Sequence, residues 1–566
     1  MRLLSLELIG QYKGLKDQYF DFRNTEGNIL ALIGLNGSGK SQLIELIAET
    51  FSYLERKQRK DFKTRNWFDF EIKLSYFVSE VDQELHGQEY LVWIDIQGRV
   101  YCTENEKEFF DLDNLPLPSH VIGYSSGLNE NLQRAFMKNS IQYLDVMNAK
   151  RRLEERISNI QNSQIVYEND NFGINAEKFF QQQIEDIYSY YKTRHPGIFP
   201  EIGEFRLSDS FSIGLRATPV PMVKYLDHDS TSLLLTSLGI LGANDQQNIF
   251  SKEQRFQNIH AVKFQYDVRK FTHDAGVLLD IARLIQCIGG VKNRYFKALT
   301  DKTSDDFYNQ FELDYLKGEI YLDFSVPAIR NQLREVFSEP RILFEKLYRM
   351  QLLGAEFWPS ELKKALRSDI FDGSVKKPQK WIAPIQVLSL ELKDIRNQII
   401  TFDDLSDGEA QLLQIMAMSA VFKESRALFL LDEPETHLNP AWRTYFYSYL
   451  EDTITIFDND PNPWVQFFIS THSPFMISSL KRTSVFFFER NHNGLIEMRP
   501  TDEETYGASF DVIIKRYFGL RSLISHSVID EIREQLEYGD AHAKQWIEDN
   551  LGLSAERAYL IKKLSH

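Results

Sequence analysis

The chain has 566 residues, with 81 acidic and 65 basic side chains and a formal net charge of −16. That length predicts several domains, and 43% hydrophobic with 13% aromatic residues is enough for large cores, which excludes wholesale disorder and fibrous classes. Two cysteines, Cys102 and Cys287, exclude a disulfide framework and a zinc cluster and predict a reducing compartment. No uninterrupted apolar run approaches the roughly 18 residues of a membrane helix. The best, around 277–291, contains Asp280 and Arg283, and the apolar start of the chain is broken by Glu7. A soluble, cytoplasmic protein with no membrane contact is expected. The acidic balance argues against a globally basic nucleic-acid binder and leaves room for a local basic groove.

In chain order, short strands are predicted over 3–8 and 18–22. Residues 28–33 form a nearly continuous apolar strand of the kind buried on both faces. A glycine-rich turn and a helix over 39–54 follow. Hairpin strands are expected over 71–78, 89–96 and 99–103, with a further strand over 119–124. From about 129 to 369 the pattern is mainly helical. Apolar residues recur at three-to-four spacing over 176–195, 273–288, 328–337 and 342–352, and Pro327 and Pro340 separate the last two. No heptad pattern persists, so a long coiled coil is not expected. Short apolar strands then return at 385–390, 427–431, 464–470 and 484–489. The predicted fold class is α/β: a P-loop core of mixed sheet and helices interrupted by a large helical insertion. The expected division is an N-terminal core lobe over 1–130, a mainly helical insertion over 131–384, a C-terminal core lobe over 385–500 and a mixed helical tail over 501–566.

The strongest local signal is Gly34-Leu35-Asn36-Gly37-Ser38-Gly39-Lys40-Ser41, which fits G-x-x-x-x-G-K-[ST] between a buried strand and a helix. Glycines let the backbone approach phosphate oxygens and turn successive N–H groups inward, and the helix N-terminus adds favourable electrostatics. Lys40 is placed to reach the β- and γ-phosphates of ATP, and the Ser41 hydroxyl to coordinate Mg²⁺. Asn36, Gly37, Ser38 and Gly39 supply the rest of the loop. The apolar strand 427–431 ends in Asp432, a second candidate for holding Mg²⁺, and Glu433, a candidate general base. Leu405-Ser406-Asp407-Gly408-Glu409 opens another helix and is a second anion-binding end. The strand ending near Ser470 delivers Thr471-His472-Ser473-Pro474.

The series NGSGKS, LSDGE, LFLLDEPETHLNP and STHSP resembles the ABC-type ATPase superfamily in its soluble SMC/RecF/RecN/OLD-like branch. The resemblance covers roughly 1–130 and 385–500. It implies that LSDGE is the signature motif, with Ser406, Gly408 and Glu409 completing the ATP site of a second subunit. It further implies that Glu433 is the catalytic glutamate and His472 the switch residue that senses the γ-phosphate beside Lys40. The D-loop region would fall at 436–440, and Tyr12-Lys13-Gly14-Leu15 near the adenine. The Q-loop is the departure: no Gln directly follows the 119–124 strand, and Gln133 is the candidate. The signature also reads LSDGE in place of LSGGQ.

The helical insertion, the tail and the lack of a long coiled coil resemble PtuA-type ATPases of Septu and retron anti-phage systems. That resemblance implies a homo-oligomer built from ATPase dimers that regulates a separate HNH-type nuclease. The alternative is a DNA-repair or chromosome-maintenance ATPase of the RecF or SMC kind. A transporter engine is disfavoured because a compact cassette has no room for the stretch between Lys40 and Leu405. Asp227-His228-Asp229 and Asp458-Asn459-Asp460 read as solvated loops rather than metal sites. The basic segment 56–65, with six basic residues and one acid, is the candidate for DNA or RNA contact.

Overall fold

A computed structural model describes residues 1–63, 69–78, 88–104, 107–109, 112–127, 130–169, 175–194, 218–250, 255–272, 274–304, 308, 311–367, 382–423, 425–455, 465–520 and 524–565. The first third contains β1 (Arg2–Tyr12), β2 (Leu15–Asp21), β3 (Ile29–Gly34), α1 (Lys40–Gln58), β4 (Glu71–Val78), β5 (Gln88–Ile94), β6 (Val100–Glu104), β7 (Lys107–Phe109), β8 (His120–Ser125) and α2 (Glu130–Asn169). Then come α3 (Asn175–Arg194), β9 (Val223–Tyr225), β10 (Phe256–Asp267), β11 (Phe296–Ala298) and β12 (Lys317–Asp323), interspersed with shorter helices. The last part has β13 (Ile385–Asp394), β14 (Ile399–Thr401), β15 (Ala427–Asp432), β16 (Gln466–Ser470), β17 (Val485–Arg490) and β18 (Ile496–Pro500), and then a helical tail.

Among the described residues these strands form three sheets. The central one has seven strands in the order β18-β17-β3-β16-β15-β8-β9, parallel throughout except for the antiparallel edge strand β18. Its inner strands β3 and β15 are buried along their whole length and apolar up to the terminal Asp432, because both faces are covered. Ile29, Ala31 and Ile33 of β3 join one core with Phe429, Leu431, Phe467 and Ile469. The alternate residues Leu30 and Leu32 join the other with Leu428, Leu430 and Phe468. The Phe429 and Phe467 rings stack between neighbouring strands at 4.3 Å between centroids.

The second core is closed by a six-stranded antiparallel sheet, β2-β1-β4-β5-β6-β7, with α1 enclosed alongside. Enclosure forces α1's polar residues to find partners: Lys138 of α2 lies 3.0 Å from Glu49, and both side chains are buried. The antiparallel expectation for 71–103 and the mixed α/β class are therefore what the structure shows.

The stretch read as mainly helical holds more than helices. Strands β10, β11 and β12 lie within it and build a five-stranded antiparallel sheet, β11-β12-β10-β13-β14. The inward side chains Phe256, Ile259, Val262, Phe264 and Tyr266 are buried. Register shifts at 256/258, 259/261 and 263/264 break the strict alternation, which hides β10 from a period-two reading. Conversely, β13 was expected in the nucleotide core but pairs with β10, and β9 supplies the edge of the core sheet from within 131–384. β13 interleaves Gln386, Ser389, Glu391 and Lys393 with apolar residues, a pattern suited to a half-exposed antiparallel strand. The helix expectations at 176–195, 273–288, 328–337 and 342–352 correspond to helices Asn175–Arg194, Ala275–Cys287, Pro327–Phe337 and Pro340–Leu353. α2 runs for 40 residues, and its second half packs against α3 through Leu153, Ile157, Ile184 and Tyr188, a hairpin rather than a long coiled coil. No described helix is long and apolar enough to cross a membrane.

At the end of β3 the chain passes close to β17. Gly34 adopts φ 144°, and a Cβ there would lie 2.3 Å from the Phe488 carbonyl oxygen. Backbone cannot yield as a flexible side chain can. Gly34→Ala is expected to cost at least about 2 kcal/mol, read as a lower urea midpoint with an unchanged slope.

Candidate nucleotide-binding site

Parallel pairing aligns three strand ends. Ser470 of β16 is opposite Leu32 of β3 on one side and Asp432 of β15 on the other. The loop after β3, the Asp432-Glu433 pair and the Thr471-His472 turn therefore emerge together at the carboxyl edge of the sheet, where open α/β sheets place ligands.

The loop has the backbone that a phosphate cradle needs. Gly37 and Gly39 have φ 74° and 102°, and Gly39 caps α1 without a side chain. Ser38 is buried, and its hydroxyl has no hydrogen-bond partner among the described residues. Asn36 is exposed at the tip. The Lys40 ammonium is buried and donates to the carbonyls of Gly34 (3.0 Å) and Leu35 (3.3 Å), and its Nζ lies 3.0 Å from His472 Nε2. Burial pulls Lys40 down to about 8, against the opposing pull of Glu433 and Asp432. Burial, and then the Lys40 charge, pushes His472 down to about 4. His472 is thus neutral at pH 7, and its ring nitrogen accepts from the ammonium.

Ser41 Oγ donates to Asp432 Oδ1 at 2.9 Å, and the Ser470 hydroxyl donates to the same oxygen. Glu433 has φ 50°, an uncommon conformation for a residue with a side chain, and its N–H donates to the Ser470 carbonyl at 3.0 Å. Its carboxylate is 3.4 Å from His472 Nε2. The donor set fits a magnesium nucleotide. A hydroxyl and a carboxylate adjoin in an oxygen-rich corner suited to Mg²⁺, and a buried cation and an unpartnered hydroxyl border a glycine loop at a helix N-terminus.

Lys40, Ser41, Asp432, Glu433 and His472 are thus brought together from opposite ends of the chain. Ser406, Gly408 and Glu409 are not part of that cluster. Ser406 caps the Asp407–Phe422 helix in a reciprocal capping box with Glu409. They line an open face with Arg255, Asp407, His437, Asn439 and Trp442, and no residue of the 34–41 loop lines it. Burial would raise Glu409, but hydrogen bonds from Ser406 and Arg255 hold it below the usual range. Gly408 packs tightly, since a Cβ would lie 2.7 Å from the His437 carbonyl oxygen.

Of the remaining expectations, the Tyr12–Leu15 turn does sit on α1: the Gly14 N–H donates to Gln42 Oε1 at 2.9 Å, and Lys13 pairs with buried Glu45. Gln133 lies in the first turns of α2. Asp227 caps a short 3₁₀ turn, with its carboxylate accepting from the Ser230 N–H. Residues 458–460 lie outside the described residues, and among those described no cluster of three or more His, Cys, Asp and Glu side chains is placed to hold a metal ion.

The 56–65 segment is exposed only in part: Lys60 and Lys63 face solvent, whereas Arg56 and Arg59 do not. Arg56 is buried and donates to Ser52 and Asn139, and Arg59 is bound by Asp61 and Glu55. Lys60 pairs with Asp113, and residues 64 and 65 lie outside the described residues. Enclosing α1 between two sheets turns its last basic residues inward, which linear charge counting does not register.

Sequence reasoning missed four contributors. Arg255 pairs with Glu409, Ser470 shares Asp432, Arg490 donates to the Gly37 carbonyl at 3.0 Å, and Glu435 lies under the Thr471-His472 turn. Arg255 and Arg490 carry no motif. Glu435 had a signal, an acid inside an otherwise buried run.

Residues 248–478, less than half of the chain, match the family described as "AAA domain, putative AbiEii toxin, Type IV TA system". The match begins beyond the glycine loop and takes in Ser406–Glu409, Asp432 and His472. Protein ea59 of Escherichia phage lambda is 28% identical over 135 residues, which is 23% of this chain and 24% of ea59, so the alignment spans about a quarter of that relative. The Smc head domain of Pyrococcus furiosus bound to the C-terminal domain of ScpA is 12% identical over 92% of this chain and 100% of that one, with a TM-score of 0.29. The SMC head domain of Thermotoga maritima is 10% identical over 89% and 100%, with a TM-score of 0.32. The recombination mediator RecF with ATPγS is 11% identical over 88% and 97%, with a TM-score of 0.31. Those scores are too low to say anything of activity. The domain match and the converged loop, carboxylates and histidine together support an ATPase of the P-loop type.

Glu435 offers a direct test of site electrostatics. It is buried, it accepts from the Thr471 hydroxyl, and its other oxygen has no partner among the described residues. Burial raises it from 4.5 to about 7, and the Glu433 charge adds to the rise. The folded protein then holds this proton over a range where the unfolded chain has lost it. Stability therefore falls as pH rises from about 4.5 to about 7, by up to roughly 3 kcal/mol in all. Glu435→Gln is expected to raise the melting temperature at pH 8 and leave it nearly unchanged at pH 4.5. Thermal melts of both proteins across pH 4.5–8 check this.

Proposed function

We propose that the chain binds and hydrolyses ATP with Mg²⁺ in composite sites formed when two copies face each other. Each copy offers Ser406, Gly408 and Glu409 to the nucleotide held by the other. The observation that supports this reading is the division within one chain: Lys40, Ser41, Asp432, Glu433 and His472 converge, while the capped helix start at Ser406 opens on a separate face.

In this reading the loop N–H groups and Lys40 hold the β- and γ-phosphates, and Ser41 and Asp432 hold Mg²⁺. To do so Lys40 gives up its contacts with Gly34, Leu35 and His472. The bound magnesium nucleotide supplies the phosphoanhydride and the charge neutralisation. Glu433 Oε1 orients a water molecule and accepts its proton. Neutral His472, beside both Lys40 and Glu433, reports on whether the ammonium has moved. The positive φ of Glu433 holds its carboxylate at this corner.

The dimer is the ATP-dependent element of a larger cytoplasmic homo-oligomer in an anti-phage defence complex, where its closed and open states regulate a separate HNH-type nuclease subunit. The toxin named in the matched family's description favours a controlled harmful activity. The second reading is a repair or chromosome-maintenance ATPase of the RecF or SMC kind acting directly on DNA.

Lys40→Ala should abolish ATP binding. Glu433→Gln should bind ATP, lose hydrolysis by at least about 100-fold and accumulate as a dimer with ATP and Mg²⁺ in native mass spectrometry. Ser406→Arg should keep ATP binding and lose the dimer. Wild-type turnover in Glu433→Gln would overturn the assignment of the base. Co-purification of an HNH-type nuclease from the native cells supports the defence reading, whereas a dimer that retains DNA and no nuclease favours the second.

A further inference from the structure

A cavity of about 900 Å³ opens between α2, α3 and the Ser360–Arg367 helix, and none of the proposed ATP-site residues lines it. Its size is that of a ligand-binding cleft. Six cations line it, Lys63, Arg152, Arg156, Arg194, Lys363 and Lys364, against two acids, Asp61 and Asp145. Asp61 is already held by two guanidinium nitrogens of Arg59, at 3.0 and 2.7 Å. In a chain where acids outnumber bases by 81 to 65, this is a local reversal of sign.

The same walls carry aromatic rings. Tyr190 is 49% exposed, with the Arg194 guanidinium 5.8 Å from its centroid, and Arg156 lies 5.5 Å from the Tyr191 ring. Trp358 also lines the cavity, and its buried indole N–H has no acceptor among the described residues. Cations that track phosphates, interleaved with flat faces on which bases stack, are the components of single-strand nucleic-acid recognition.

The geometry points to a second binding site: this cleft holds a single-stranded segment of nucleic acid, with phosphates on Arg152, Arg156 and Arg194 and a base on Tyr190. A duplex keeps its bases stacked away from such rings. An acidic peptide would use the cations and leave the aromatic wall and the indole N–H unexplained. The inference does not depend on the ATPase reading.

The test is fluorescence anisotropy of the full chain with labelled oligo-dT and oligo-U of about 20 nucleotides, a duplex of equal length, and polyglutamate as competitor. One or both single strands should bind. With three or four phosphate contacts, affinity should fall roughly 30-fold between about 50 and 200 mM salt. The triple variant Arg152→Glu, Arg156→Glu, Arg194→Glu should weaken binding at least tenfold. Tyr190→Ala should weaken it roughly fivefold or more while Tyr190→Phe does not. Both variants should retain wild-type ATP binding, which reports folding separately. No binding at low salt would overturn the proposal. So would wild-type affinity in the triple variant or in Tyr190→Ala, tighter binding of the duplex, or equal competition by polyglutamate.

Discussion

The parallel ladder β3–β16–β15 is the constraint on which the rest of the protein depends. Leu32, Ser470 and Asp432 are neighbours in register, although the first lies hundreds of residues before the others. A slip of one residue in either pairing would reverse the faces of every side chain in that strand and move Asp432 away from Ser41. Two cores hold the register, because alternate residues of each strand are sealed in different cores. The site inherits its geometry from hydrophobic packing, and the polar residues at the strand ends make no separate decision.

Desolvation then sets the chemistry. The corner places Lys40, Asp432, Glu433 and His472 within a few ångströms of one another and partly out of water. Burial lowers the lysine and the histidine, and the two nearby carboxylates oppose the fall of the lysine. A neutral histidine against a charged lysine is the consequence. Glu435, one layer deeper, shows the same force on a carboxyl whose burial outweighs the pull of Arg443: it is raised while Glu409, held by Arg255 and Ser406, is lowered. The difference between these two acids lies in their partners.

Residues 131–384 are tied to the rest of the chain by shared sheets. β9 pairs with β8 of the central sheet, and β13 pairs with β10. α2 leaves the core as the helix whose Lys138 neutralises Glu49 of α1, and it continues into the hairpin with α3 that walls the basic cleft. One 40-residue helix therefore touches both the element that follows the phosphate loop and the cleft.

The sequence by itself determined the mixed α/β class, the glycine loop between strand and helix, the two terminal carboxylates, the histidine and most helices. Each of these is written locally: uninterrupted apolar strands, three-to-four spacing, and glycines where backbone must turn or approach. Tertiary structure alone decided what depends on pairing across long separations. It hid β10 behind three register shifts, gave β13 to another sheet, recruited Arg255 and Arg490, which no motif marks, and set the Ser470 hydroxyl against Asp432. It turned Arg56 and Arg59 inward, where counting charges along the chain had placed an exposed patch. It assembled the basic, aromatic cleft from distant helices in an acidic protein. The physical reason is common to all of these. Local propensity is a property of neighbours along the chain, whereas burial, charge partnership and register belong to neighbours in space.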